Sequence, residues 1–188
     1  MASSVSATNS RLSVDDWVQE GFRVLAEDGV KALTLGHLCT RLGVTKGSFY
    51  WHFSDMTAYR NALIDTWAVV RDEDRSFDGL AAQPPRERLS RMMTALVGPR
   101  RHWMLERAMR EWARSESAVA AAVRASDQKV IAAVRQAFLD SGFDHKQAEM
   151  RASATFAAGI GFLHLSGSRP SPLAAGRRED FLEVMLRH

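Results

Sequence analysis

The sequence predicts an all-α fold in two parts, a short N-terminal helix-turn-helix unit followed by a larger helical one. Three observations carry this expectation. Helix-start signals recur through the N-terminal third of the chain, and apolar residues fall at helical spacing with no strand-like alternation and no internal repeat. Only Gly43, Val44 and Thr45 separate two brief apolar patterns, a link that holds two helices at a steep angle.

With 188 residues, 46% hydrophobic and 25% charged, the chain buries a real core and spans one large domain or two small ones. Disorder throughout is excluded. The single cysteine, Cys39, forms no internal disulfide. Residues 1–12 (MASSVSATNSRL) lack the apolar run of a signal peptide and read as a disordered tail, so a cytoplasmic protein is expected. The best candidate for a membrane span, ATFAAGIGFLHL at 154–165, is only 12 residues long and contains His164.

The first helix begins at Val14, because Ser13 and Asp16 form a capping-box pattern flanked by Leu12 and Trp17, and it ends at Gly29. Its buried face is Trp17, Val18, Gly21, Phe22 and Leu25. A second start signal at Leu33, Thr34 and Leu38 opens a helix that packs through Leu35, Leu38, Cys39 and Leu42 and stops at Gly43. Val44, Thr45 and Phe49 open the third, and Phe53, Ser54 and Ala58 a fourth, running from Asp55 to about Glu73.

Phe49 and Phe53 suffice to pack the third helix, yet it also carries Lys46, Gly47, Ser48, Tyr50, Trp51 and His52. Gly47 is a poor helix former whose benefit is a close approach of backbone to a surface. Lys46 reaches a phosphate or a guanine edge, and Ser48 a base edge. Tyr50 and His52 donate to phosphates, and Trp51 packs on sugar or a thymine methyl. The alternative is an aromatic cluster that merely caps a small core. The candidate DNA contacts are these residues with Thr34 and Thr45 at the helix starts. Charge points the same way: the acids of the first 53 residues all precede residue 29, leaving Lys31, Arg41 and Lys46 unopposed from Gly29 to Phe53.

Residues 14–67 resemble the DNA-binding domain of the TetR/AcrR regulators, through AEDG ending the first helix, LTL, LGVTKGSFYWHF and the aliphatic pair Leu63 and Ile64. The resemblance implies a three-helix DNA-binding domain, here 13–54, a helical ligand-binding and dimerising domain, here 55–188, and a homodimeric repressor released from its double-stranded operator by a small molecule. The family's early lysine of the fourth helix, a phosphate contact, is replaced here by Met56. Arg60, one turn later, is the candidate substitute.

Beyond the breaker stretch at 77–87, further helices are expected at 86–97, 102–115, 117–141, 144–167 and 177–187. The 102–115 helix sets Leu105, Ala108, Met109 and Trp112 on one face and the pairs Glu106–Arg110 and Arg107–Glu111 on the other. Methionine repacks around varied shapes. Trp67, Met92, Trp103, Met109, Trp112, Phe138 and Phe156 are therefore the candidate walls of a pocket for a mostly apolar ligand, and His164 or Arg110 its polar anchor. Plain core is the alternative. The small residues Ala152 to Gly161 suit close helix packing, either across a two-fold axis with the 177–187 helix or within one subunit. Asp127, on an apolar face, requires a partner, and an arginine is expected.

An enzyme is not expected: there is no GxSxG, no HExxH, no phosphate-binding glycine loop and no cysteine pair for a metal. No catalytic residue, cofactor or metal is assigned. The competing reading is a helix-turn-helix regulator without small-molecule control, or one controlled by a protein partner.

Overall fold

Local capping chemistry sets the ends of the first helices. In the computed structural model, which describes residues 12–74, 82–96, 100–165 and 175–187, α1 (Val14–Asp28) opens on a complete capping box. Ser13 Oγ accepts from Asp16 N at 3.2 Å, and Ser13 N donates to the Asp16 carboxylate at 2.7 Å. α2 (Leu35–Leu42) starts at Thr34, whose hydroxyl accepts from His37 N, and it ends at Gly43, left-handed at φ 66°. That conformation suits a residue without Cβ. A 3-10 turn at Val30–Ala32, not expected from the sequence, joins α1 to α2. Next come α3 (Lys46–Tyr50) and α4 (Met56–Asp74). Ser54 was the expected cap of α4, but Asp55 performs that role, its carboxylate accepting from Ala58 N at 2.8 Å.

The chain divides into two compact units, Met1–Leu63 and Ile64–His188. This division falls later than the boundary read after residue 54, because the first two turns of α4 pack into the N-terminal unit. Tyr59 Oη donates to Trp17 O at 2.7 Å, and Leu63 is fully buried. A Cβ on Gly21 would lie 2.2 Å from Tyr59 Oη and 2.8 Å from Leu63 Cδ2, so α1 accepts α4 only with a glycine there.

Ion pairs close the remaining side of this unit. Arg41 on α2 meets Glu20 at 2.5 Å, Glu27 at 2.8 Å and Asp28 at 3.3 Å, all on α1, and Arg23 also donates to Glu20. Burial raises the Glu20 pKa, but the hydrogen bonds and charges of Arg23 and Arg41 outweigh it and leave the carboxyl below its ordinary value of 4.5. A depressed folded pKa contributes stability above the unfolded value that is lost as pH falls through the folded one. Glu20→Gln is therefore expected to be less stable than the parent at pH 7, with the gap closing below pH 4.5, when thermal unfolding is followed from pH 7 to pH 3.

In the C-terminal unit α5 (Pro85–Leu96), α6 (Arg100–Trp112), α7 (Ser117–Asp140), α8 (His145–Leu165) and α9 (Ala175–Met185) follow in order. α7 packs on α5, α6 and α8, and α9 on α5. Leu89, Met92, Val134, Phe138, Ala152 and Leu182 belong to one apolar core. Two arginines clip its edges. Arg88 pairs with Asp140, and Arg151 donates to Met185 O and Arg187 O while stacking on Phe143 at 4.1 Å. Ala152, placed by sequence in a stripe facing another subunit or its own, is fully buried in this core. The expected tail at 1–11, the Gly98–Pro99 break and the 167–174 part of the expected loop lie outside the described residues.

Candidate functional site

α3 is positioned from the inside. Phe49, with no exposed surface, meets Trp17, Phe53 and Tyr59 at ring-centroid distances of 5.3, 5.3 and 5.6 Å. Aromatic rings packed edge-on resist rotation of the helix that carries them. With Phe49 fixed, its neighbours must face away: Tyr50 is 58% exposed and Trp51 70% exposed. Lys46 and Gly47 are also exposed, and Ser48 and His52 are half-buried beside them. Thr34 and Thr45, both exposed, cap α2 and α3, but only Thr34 makes a side-chain cap hydrogen bond, which leaves the Thr45 hydroxyl uncommitted to its helix. The residues read from sequence as outward are thus exposed or half-buried, and only Phe49 of α3 is buried.

Gly47 has no internal reason to be glycine. Its backbone is ordinary right-handed helix, and a Cβ there would meet only Thr45 Oγ1 at 3.6 Å, an easy contact. A helical glycine costs about 1 kcal/mol against alanine, and no contact within the chain requires it here. Gly47→Ala is expected to leave thermal stability equal or slightly raised while weakening DNA binding, a combination that packing within the chain would not produce.

Charge is distributed differently from the sequence expectation. Of the three bases between Gly29 and Phe53, Arg41 is neutralised by Glu20, Glu27 and Asp28. Lys31 and Lys46 have no acidic partner among the described residues. Arg60 on α4 is likewise unpaired there, half-buried, with Nε enclosed and lacking a hydrogen-bond acceptor. The free positive charge of this unit thus comes from the helix-turn-helix and the start of α4.

Two short helices joined by a three-residue turn, the second held by one buried ring with lysine, tyrosine and the following tryptophan outward, have the order of elements of a helix-turn-helix. Residues 18–63 match the family model for bacterial regulatory proteins of the tetR family. Over these residues the chain is similar to tetR-family regulators. Among solved structures, a TetR transcription regulator from Haloarcula marismortui is similar over 92% of this chain and 95% of its own, with TM-score 0.72 and 17% identity. A transcriptional regulator from Rhodococcus sp. Rha1 covers 93% and 94%, with TM-score 0.70 and 19% identity. One from Cytophaga hutchinsonii covers 92% of both chains with TM-score 0.58 and 17% identity. No curated protein matches the sequence. The family match covers residues 18–63, and the likeness of the remaining chain to these regulators is one of fold. No helix among the described residues is long and apolar enough to cross a membrane.

The C-terminal unit separates the remaining candidates. Trp67, Trp103, Met109 and Trp112 are buried, and Phe156 is half-buried. Met92 and Phe138 belong to the apolar core of α5, α7, α8 and α9, and Phe156 packs against it. His164 is exposed near the end of α8, so within this chain it is no buried anchor. The pair Glu106–Arg110, expected on the outer face of α6, is inside instead. Glu106 is buried and bonded to Arg110 at 2.7 Å and to Arg71 of α4 at 2.9 Å. Arg110 in turn grips Asp127 of α7 through two hydrogen bonds of 3.0 and 2.6 Å, the arginine partner expected for that aspartate. Desolvation lowers the Arg110 pKa, but its bonds and charge contacts with Asp127 and Glu106 outweigh that and raise it. Arg71 was missed by sequence reasoning. Its signal was its position four residues after Trp67, on the same face of α4.

Proposed function

We propose that the protein is a homodimeric transcriptional repressor that reads its operator with α3 and is released by a small, mostly apolar ligand bound in its C-terminal unit. The observation that carries the DNA part is the outward set Lys46, Gly47, Tyr50 and Trp51 on a helix whose inward face Phe49 already satisfies. Tyr50 and Trp51, 58% and 70% exposed, offer aromatic surface beside an exposed lysine.

Dimerisation is supported by an uncovered stripe on α8. Met150 and Leu165 are exposed at 58% and 83%, Ala157 is exposed, and Ala154 and Gly161 are half-buried between them. These positions recur at helical spacing, and Val184 of α9 is also 57% exposed. Two copies would supply the paired half-sites that a helix-turn-helix requires. Trp67, Trp103, Met109, Trp112 and Phe156 would wall the effector site. Because α4 belongs to both units, effector and operator would be linked reciprocally through it.

Selection of bound DNA from a random duplex pool, followed by a screen for compounds that release it, tests this reading. A two-fold symmetric site and at least one releasing compound are expected. A selected site without two-fold symmetry, or an Ala157→Arg variant still dimeric by sedimentation, counts against the dimer. A broad screen with no releasing compound counts against the effector.

A further inference from the structure

Tyr59 and Arg71 stand on the same unbroken helix, α4, about three turns apart. Tyr59 is fixed in the N-terminal unit, its ring 5.6 Å from that of Phe49 on α3 and its Oη donating to Trp17 O. Arg71 pairs with Glu106 of α6 at 2.9 Å, and the two side chains keep only 11% and 6% of their surface. Glu106 is held in turn by Arg110 at 2.7 Å, and Arg110 grips Asp127 of α7. The carboxylate that Arg71 meets therefore has a place set by α6 and α7 together.

Ile64 and Trp67 also bury α4, at 7% and 2% exposure. Apolar burial is non-directional and tolerates a slide or a turn of one helix on another. A buried ion pair does not, because a shifted register leaves both charges desolvated and apart. Such pairs are weak evidence for stability, and their best-attested use is to fix register. A slide or turn of α4 on α6 is carried along the helix to Tyr59, and through the Tyr59–Phe49 contact to α3.

We propose that Arg71 is a positioning residue for operator recognition: its pair with Glu106 fixes the register of α4 on α6, and with it the half-site spacing that the dimer accepts. This rests on the operator and dimer reading above. Moving a half-site by one base pair shifts it about 3.4 Å along the duplex and about 35° around it, a displacement that two locked α4 helices cannot follow. Without the pair α4 takes neighbouring registers as well. A mis-spaced operator is then bound less badly, and the selected one less well, because the register that fits it is no longer the dominant one.

The test is titration of the full chain with the duplex operator selected from the random pool, and with versions one base pair longer and one shorter between the half-sites. The parent is expected to prefer the selected spacing by about tenfold or more, and Arg71→Met to cut that preference by about threefold or more. In Arg71→Met, Glu106 retains Arg110, so no carboxylate is stranded. A merely structural loss lowers the folded fraction and scales every affinity together, leaving the ratio between spacings unmoved. Glu106→Gln keeps the shape, weakens the same contact and is expected to cut the preference too, which decides the matter if Arg71→Met does not fold. A parent that binds all spacings alike, or a folded variant of either kind that keeps the parent's ratio, overturns the inference and leaves the operator reading standing. A selected site without two-fold symmetry overturns the dimer reading and the inference with it.

Discussion

Replacing Lys46 and Trp51 together by alanine is expected to leave the protein folded, with the thermal midpoint of the parent, and to reduce operator binding by on the order of a thousandfold or more. Both side chains are outward on α3, and Trp51 keeps 70% of its surface, so neither removal opens a cavity. Each base-edge contact is worth about 1 to 3 kcal/mol, with tenfold in affinity per 1.4 kcal/mol, and a dimer loses every contact twice. The salt dependence of binding should also flatten, by about one unit of slope for each phosphate contact that Lys46 made. Phe49→Ala serves as the opposite control. It removes a ring without exposed surface from the Trp17–Phe53–Tyr59 cluster, and a cost of about 3 to 5 kcal/mol is expected for such a truncation, visible as a lowered melting temperature before any DNA is added. Parent-like operator affinity in folded Lys46→Ala, Trp51→Ala protein would remove α3 as the reading element.

The reason α1, α2 and α3 were legible from sequence is that their determinants are local. Ser13 with Asp16, Thr34 with His37 and the left-handed Gly43 each act within three or four residues of where they stand. Phe49 and Phe53 share a face by spacing alone. Ambiguity remained only where two residues offer the same chemistry. Ser54 and Asp55 both cap helices, and the longer reach of the carboxylate to Ala58 N decided for Asp55.

Long-range pairing was not legible. Arg41 looked like a free base because its neighbours in sequence are uncharged, while Glu20, Glu27 and Asp28 lie a helix away. Their spacing does place them on one side of α1, and that signal would have identified an acidic face waiting for a base. Glu106 and Arg110 illustrate the converse. An i,i+4 pair opposite an apolar stripe reads as solvated, but α6 packs on both α7 and α8, and Arg71 and Asp127 close on its polar side. A helical wheel shows that two faces differ and cannot tell which of them a third helix covers. The same limit applies to Ala152. Small residues announce close approach, and the core in which Ala152 is buried belongs to the same subunit.

Arg110→Met is expected to be the most damaging single change in the C-terminal unit. Arg110 is the central link of the buried chain, bonded to Glu106 at 2.7 Å and doubly to Asp127. Without it Glu106 retains Arg71, but Asp127 loses both of its guanidinium hydrogen bonds. Removing one partner of a buried pair costs about 3 to 5 kcal/mol, because the charge left behind has neither water nor counter-ion. The methionine restores most of the lost volume, so the loss measures charge and not cavity. Replacing both partners with apolar residues is often neutral. Arg110→Met with Asp127→Leu should therefore recover most of the stability lost in the single variant, and thermal or denaturant unfolding of the two proteins measures the difference. If the single variant unfolds like the parent, water reaches Asp127 freely. If the double variant is worse than the single, the chain through Arg71 and Glu106 depends on Asp127 to hold its place, and the four residues form one unit whose members cannot be exchanged in pairs.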